Sequence, residues 1–152
     1  MYTSETQIRV RYAETDQMNV VYYGNYAQYF EVGRVEAIRQ LGLSYKDIET
    51  DGVIMPVVEF TAKYLRPARY DDLLTVKTIL REWPVDHRVV FHQEVYNEGG
   101  KLLTTGKVLL YFLKKDTMER TLMPADLESR LAPYFPTPYQ EPQDAVRPKD
   151  RH

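Results

Sequence analysis

One long helical pattern, and only one, constrains this chain more than any other feature. From Asn25 to Leu41 the residues Tyr26, Tyr29, Phe30, Gly33, Ala37 and Leu41 recur at helical spacing. Asn25 is a suitable N-cap, and Gly42 suits the left-handed position just past the C-terminus. Everything else of length is β-like. Residues 6–12 (TQIRVRY) alternate and predict a strand with Ile8, Val10 and Tyr12 on one face. Ser44 and Asp47 resemble a capping box that opens a short second helix. Beyond Gly52, Val58, Phe60, Ala62 and Tyr64 alternate against Glu59, Thr61, Lys63 and Leu65 until Pro67 ends the run. Residues 73–83, 87–97 and 101–115 predict three more strands, reversed at Pro84–Asp86 and at the Glu-Gly-Gly of 98–100.

The expected order is therefore a strand, a long helix, then four consecutive antiparallel strands joined by tight turns. That is an α+β domain, one long helix wrapped by a curved antiparallel sheet of about five strands. A single helix covers one face of such a sheet, so the other face must meet water or another chain.

No repeat or shift in composition divides the 152 residues, which suit one domain over residues 1–135. Residues 136–152 (PTPYQEPQDAVRPKDRH) are polar and rich in proline, and a mobile tail is expected there. With no cysteine, the chain has neither disulfides nor thiolate chemistry. A formal net charge of −2 argues against a dominant nucleic-acid role. No apolar run approaches the ~20 residues that span a bilayer, so no membrane span and a cytoplasmic location are expected.

Chemistry points first to Asp16, in the polar loop before the helix. Its ordinary role would be to close a turn. However, it stands seven residues before Tyr23, where the chain enters the helix. A helix N-terminus offers unpaired N–H groups and partial positive charge, which can hold a carbonyl oxygen and stabilise the oxyanion it becomes. One such donor is worth ~3 kcal/mol of barrier. A carboxylate is a weak base, so the pairing suits an ester with a good leaving group. A thioester qualifies, since a thiol of pKa ~8.5 leaves as thiolate far more readily than an alkoxide.

The stretches YAETDQMNVVYYGNYAQYFEVGRVEAIRQLG, KYLRPARYDDLLTV and EVYNEGGKLLTTGKVLLYFL resemble the 4-hydroxybenzoyl-CoA thioesterase-like branch of the hotdog-fold acyl-CoA thioesterases, over about residues 6–131. The resemblance implies hydrolysis of an acyl-CoA to free acid and CoA, with no metal or redox cofactor. It implies that Asp16 is the catalytic carboxylate, as nucleophile or as general base. It further implies that Tyr23 presents its backbone N–H to the thioester oxygen, beside Gly24. Some relatives carry His where this chain has Tyr23, and Gly is common where it has Asn19. Asn is the least costly substitute for Gly at a left-handed position.

Other candidates follow from position. Tyr26 and Phe30 would line an acyl pocket on the helix face. Glu31 reads as a surface partner of Arg34, three residues on, although some relatives aim a carboxylate from there at the acyl group. Lys63, Arg66 and Arg69 are natural partners for coenzyme A phosphates. His87 and His92 lie an odd number apart on a strand and face opposite ways. A homodimer or homotetramer is expected. Two alternatives stand beside hydrolysis: a hotdog hydratase or dehydratase, which wants a His with Asp16, and a non-catalytic acyl-thioester-binding module.

Overall fold

A computed structural model describes residues 1–136. In chain order its elements are β1 (Tyr2–Arg9), 3-10 turns at Tyr12–Glu14 and Tyr23–Asn25, α1 (Tyr26–Gln40), α2 (Tyr45–Thr50), β2 (Val53–Ile54), β3 (Val57–Tyr64), β4 (Leu73–Leu80), β5 (Arg88–Tyr96), β6 (Leu102–Tyr111), β7 (Leu113–Lys114) and α3 (Ala125–Leu131), followed by a last 3-10 turn at Ala132–Tyr134. Five strands form one antiparallel sheet in the order β1-β4-β5-β6-β3, and β2 pairs with β7 beside it. The expected α+β layering, one long helix on a five-stranded sheet, is the observed one.

Helix α1 begins and ends within a residue of its predicted limits, and Gly42 has a φ of +88°. Asn25 does not cap α1 with its side chain; its Nδ2 donates instead to the Glu14 carbonyl at 2.8 Å. The predicted capping box of α2 is present in both directions, between Ser44 and Asp47 at 3.0 and 3.1 Å.

Three expectations need correction. First, β1 starts at Tyr2 rather than at Thr6, because Tyr2 through Arg9 pair residue for residue with Leu80 through Leu73. Tyr12 leaves the sheet for a 3-10 turn and is 77% exposed. Second, β3 and β4 are not hairpin neighbours: β3 is the far edge beside β6, while β4 lies between β1 and β5. Residues 65–72 cross between them. The N–H groups of Leu65 and Arg66 donate to Leu103 O, Ala68 O accepts from Val21, and Asp71 N–H donates to Val10 O. Third, Arg34 does not pair with Glu31 at the surface. Glu31 is exposed, whereas Arg34 is buried and donates to Gln93 Oε1 at 3.1 Å.

Gln93 ties helix to sheet. Fully buried on β5, it donates to Phe30 O at 2.8 Å and to Thr78 Oγ1 at 2.9 Å. The helix can come this close because residue 33 is Gly: a Cβ there would stand 2.7–2.8 Å from Val76, Gln93 and Thr78. Around this contact Phe30, Leu74, Val76, Val95, Val108 and Phe112 form the dry centre of the core. Phe135 is buried and packs edge-on to Trp83 at 5.6 Å, so the ordered domain reaches that residue. The expected tail, apart from Pro136, lies outside the described residues. No helix among the described residues is long and apolar enough to cross a membrane.

Candidate active site

Asp16 sits at the head of a small β-turn structure. Thr15 and Val21 form an antiparallel bridge, Asp16 N–H donates to Val20 O at 2.9 Å, and Asn19 N–H donates to Asp16 O at 2.9 Å. The reversal needs a left-handed residue, and Asn19 supplies it with a φ of +66°. Asp16 Oδ1 accepts from Met18 N–H at 2.8 Å, an Asx turn. The two readings of Asp16 are thus compatible: one oxygen closes the turn and orients the carboxylate, which remains partly exposed.

The same chain then turns directly into the helix. Asn25 N–H donates to Tyr22 O and Tyr26 N–H to Tyr23 O, which makes one 3-10 turn ahead of α1. The N–H groups of Tyr23 and Gly24 precede the first of these internal bonds, the position where a helix leaves donors without internal partners. Tyr64 on β3 holds this turn from the sheet side, its hydroxyl donating to Tyr23 O at 3.1 Å and its ring edge-on to Tyr23 and Tyr26. Gly24 leaves room for the Tyr22 ring, which a Cβ would meet at 2.8 Å.

Asp16, Tyr23, Tyr26 and Arg66 open onto one cleft of about 290 Å³, together with Met18, Val20, Val21, Tyr64, Leu65 and Pro67. Larger grooves of about 480 and 530 Å³ lie elsewhere. Their walls include neither Asp16 nor the helix entrance, so volume does not decide the site. Burial pushes the Tyr26 hydroxyl pKa up. The neighbouring Tyr23, and to a smaller extent the Asp16 charge, push that of Tyr22 up. Both phenols stay protonated at neutral pH and can donate but not act as bases.

The remaining candidates are scattered. Phe30 is fully buried against Phe60 and lies off the cleft. Glu31 is exposed further along α1, and Lys63 faces a groove on the other side of β3 with Arg81 and His92. Arg66 reaches the cleft while its Nη1 donates to Leu102 O at 3.1 Å. Arg69 is exposed beyond it, with its N–H on Asp72 Oδ2. His87 stacks edge-on to Tyr111, and neither it nor His92 lines the cleft.

Sequence reasoning passed over Tyr64 and, above all, Glu14. This buried carboxylate accepts from Arg11 and from Tyr29 Oη at 2.7 Å. Burial raises its pKa, but the Arg11 N–H, the Tyr29 hydroxyl and the Arg11 guanidinium outweigh burial and hold it below the usual value. The Arg11-x-x-Glu14 spacing of a capped turn was the available signal.

Residues 10–131 match the model of the thioesterase-like superfamily. The putative acyl-CoA thioesterase YneP of Bacillus subtilis is 40% identical over 102 residues, 67% of this chain and 73% of that protein. The DHNA-CoA thioesterase of Staphylococcus aureus superposes with a TM-score of 0.76 at 36% identity, covering 99% of this chain and 95% of the other. A 4-hydroxybenzoyl CoA thioesterase mutant complexed with 4-hydroxybenzoyl CoA shares the fold, at a TM-score of 0.77 and 22% identity over 86% of this chain and 99% of that one. The chain belongs to the thioesterase-like superfamily, a thioester hydrolase on the hotdog fold.

Proposed function

We propose that this protein hydrolyses an acyl-CoA thioester to the free acid and CoA at the Asp16 cleft. The observation that carries the reading is the meeting of the Asp16 carboxylate and Tyr23, the residue at the helix entrance, in one cleft, with Gly24 next in the chain but not on its wall. The thioester oxygen lies against the N–H groups of Tyr23 and Gly24, which stabilise it as negative charge develops. Either Asp16 attacks the carbonyl carbon, CoA departs as thiolate and water then cleaves the acyl-aspartyl anhydride to free acid and Asp16, or Asp16 takes a proton from the water that attacks and CoA departs as thiolate. Both routes use a carboxylate already oriented by Met18 N–H. Tyr26 borders the acyl group, and Arg66 at the rim faces the nucleotide end. The names of the relatives support coenzyme A thioesters as the substrate class. The working form is a homodimer or homotetramer, consistent with the exposed Val57, Val58 and Tyr64 along edge strand β3.

Free-thiol release over a panel of acyl-CoAs tests the reading. Asp16→Asn keeps an oxygen to accept from Met18 N–H, and it should lower kcat by at least ~100-fold, the low end for a positioned acid–base group. Near-normal turnover in that variant would sink the assignment.

A further inference from the structure

We infer that Glu14 is a positioning residue for this reaction: its carboxylate fastens the Asp16 turn to α1 and thereby sets the attacking oxygen against the helix entrance. The inference rests on the reading of Asp16 given above. Glu14 lies two residues before Asp16, and each of its three oxygens accepts two hydrogen bonds. Oε1 takes Arg11 N–H at 2.9 Å and Tyr29 Oη at 2.7 Å; Oε2 takes Arg11 Nε at 2.9 Å and Nη2 at 2.7 Å. The carbonyl takes Tyr22 N–H at 3.0 Å and Asn25 Nδ2 at 2.8 Å.

These bonds divide by what they join. Those from Arg11 stay within the 3-10 turn, and a simple cap needs nothing more. The bond from Tyr29 does something else, because Tyr29 is on α1 just beyond Tyr26, which lines the cleft. The carbonyl bonds run to the two residues that flank Tyr23 and Gly24. Loop and helix entrance are therefore both referred to Glu14, and the Asp16 turn has no other side-chain bond to α1 among the described residues.

Glutamine does not replace this carboxylate. All four groups facing the side chain are donors, and an amide turns one of its two acceptors into a further donor. In Glu14→Gln either the Arg11 N–H or the Arg11 guanidinium loses its acceptor and the Tyr29 bond loses its charge assistance, so the Asp16 turn loosens. Misplacement of a reacting group by ~1 Å is enough for a loss of about 100-fold. Substrate binding does not depend on that register, so KM should barely move.

The experiment is a double-mutant cycle on one acyl-CoA, with kcat and KM measured for wild type, Glu14→Gln, Asp16→Asn and the pair. Expected are a 10- to 100-fold fall in kcat for Glu14→Gln, KM within about twofold, and less than about twofold further loss when Asp16 is already Asn. Undiminished kcat in Glu14→Gln overturns the inference. So does an equal loss in both backgrounds, which marks general support of the fold. If Glu14→Gln does not fold, Tyr29→Phe breaks the same link by one hydroxyl; kcat should fall about 10-fold, and an unchanged kcat overturns the inference. A crippled Asp16→Asn beside a normal Glu14→Gln removes only the role of Glu14. A normal Asp16→Asn removes the Asp16 reading and this inference with it.

Discussion

Replacing Gly106 by Ala tests how firmly the helix that carries the site is seated. Gly106 lies in the middle of β6, between Gln93 on β5 and Ala62 on β3. A Cβ there would overlap Phe30 Cε2, stand 2.7 Å from Phe30 Cζ and touch the Thr61 carbonyl at 3.0 Å. Carbon atoms settle at ~3.5–4.0 Å, so the ring edge must retreat by roughly 1.5 Å or more. It has no free direction, being fully buried with Phe60 at 5.5 Å on one side. Overpacking of this kind costs about 1–3 kcal/mol, and the rigid carbonyl places this case at the top. Relief from the entropy of Gly in the unfolded chain offsets ~0.5–1 kcal/mol. A net loss of about 2 kcal/mol, at about 4 °C per kcal/mol for a domain of this size, lowers Tm by roughly 8 °C. Thermal unfolding followed by circular dichroism measures it. Leu in place of Phe30 lacks the ring atoms in conflict, so Phe30→Leu should recover part of the loss in the Gly106→Ala background. A Tm within about 2 °C of wild type in Gly106→Ala, or strict additivity of the two changes, would refute the packing argument.

Two further outcomes follow from the charges. Arg66→Ala should raise KM for an acyl-CoA and leave kcat nearly unchanged, because phosphates lie far from the reacting carbonyl and contribute uniform binding. Arg69→Ala should act in the same sense but more weakly, since Arg69 lies off the cleft; an acyl-pantetheine should ignore both changes, and equal losses on both substrates would return the arginines to a role in the fold. Glu14, with its folded pKa below the ordinary 4.5, contributes stability that is present above that value and is lost as pH falls through the folded pKa. Glu14→Gln should therefore flatten the acid limb of unfolding free energy measured by urea titration between about pH 5 and 3, and an unchanged slope would refute it.

What the sequence revealed, and what it hid, divides by the range of the interactions. The Ser44–Asp47 box, the left-handed Asn19 and the closing Gly42 are decided within four residues, and all were legible. The i,i+4 pairs Leu127–Leu131 and Asp126–Arg130 carry the same kind of signal for α3, which the reading overlooked. Arg34 deceived for the opposite reason. Three residues from Glu31 it looks like half of a surface pair, but its partner Gln93 is 59 residues away and draws it under the helix. Strand order failed in the same way. Alternation in 57–64 marks a strand and its inner face, but nothing local says that its neighbour is β6 rather than β4. The cleft inherits this. Asp16 and Tyr23 were legible as a pair because one turn joins them, whereas Tyr64, at the end of β3, meets Tyr23 only through the fold.

Under the proposed mechanism, the crossover of residues 65–72 also lets a lone carboxylate suffice. Among the described residues no histidine lines the cleft. What Asp16 has is placement. Met18 N–H fixes Oδ1, Ala68 on the crossover holds Val21 at the foot of the turn, and Tyr64 fixes Tyr23 O from the sheet. Each bond is modest, about 1 kcal/mol net, but together they set carboxylate and N–H donors in position before substrate arrives. Proximity of this kind reduces a barrier by up to ~7–11 kcal/mol, and an oxyanion donor adds ~3 kcal/mol. A weak base so placed can attack a thioester, whose leaving thiolate asks for no proton, while the alkoxide of an alkyl ester leaves far less readily. The same geometry that permits the reaction therefore restricts it: alkyl esters of the preferred acyl group should be turned over far more slowly than its CoA thioester, and comparable kcat/KM on both would show that some group other than Asp16 does the chemistry.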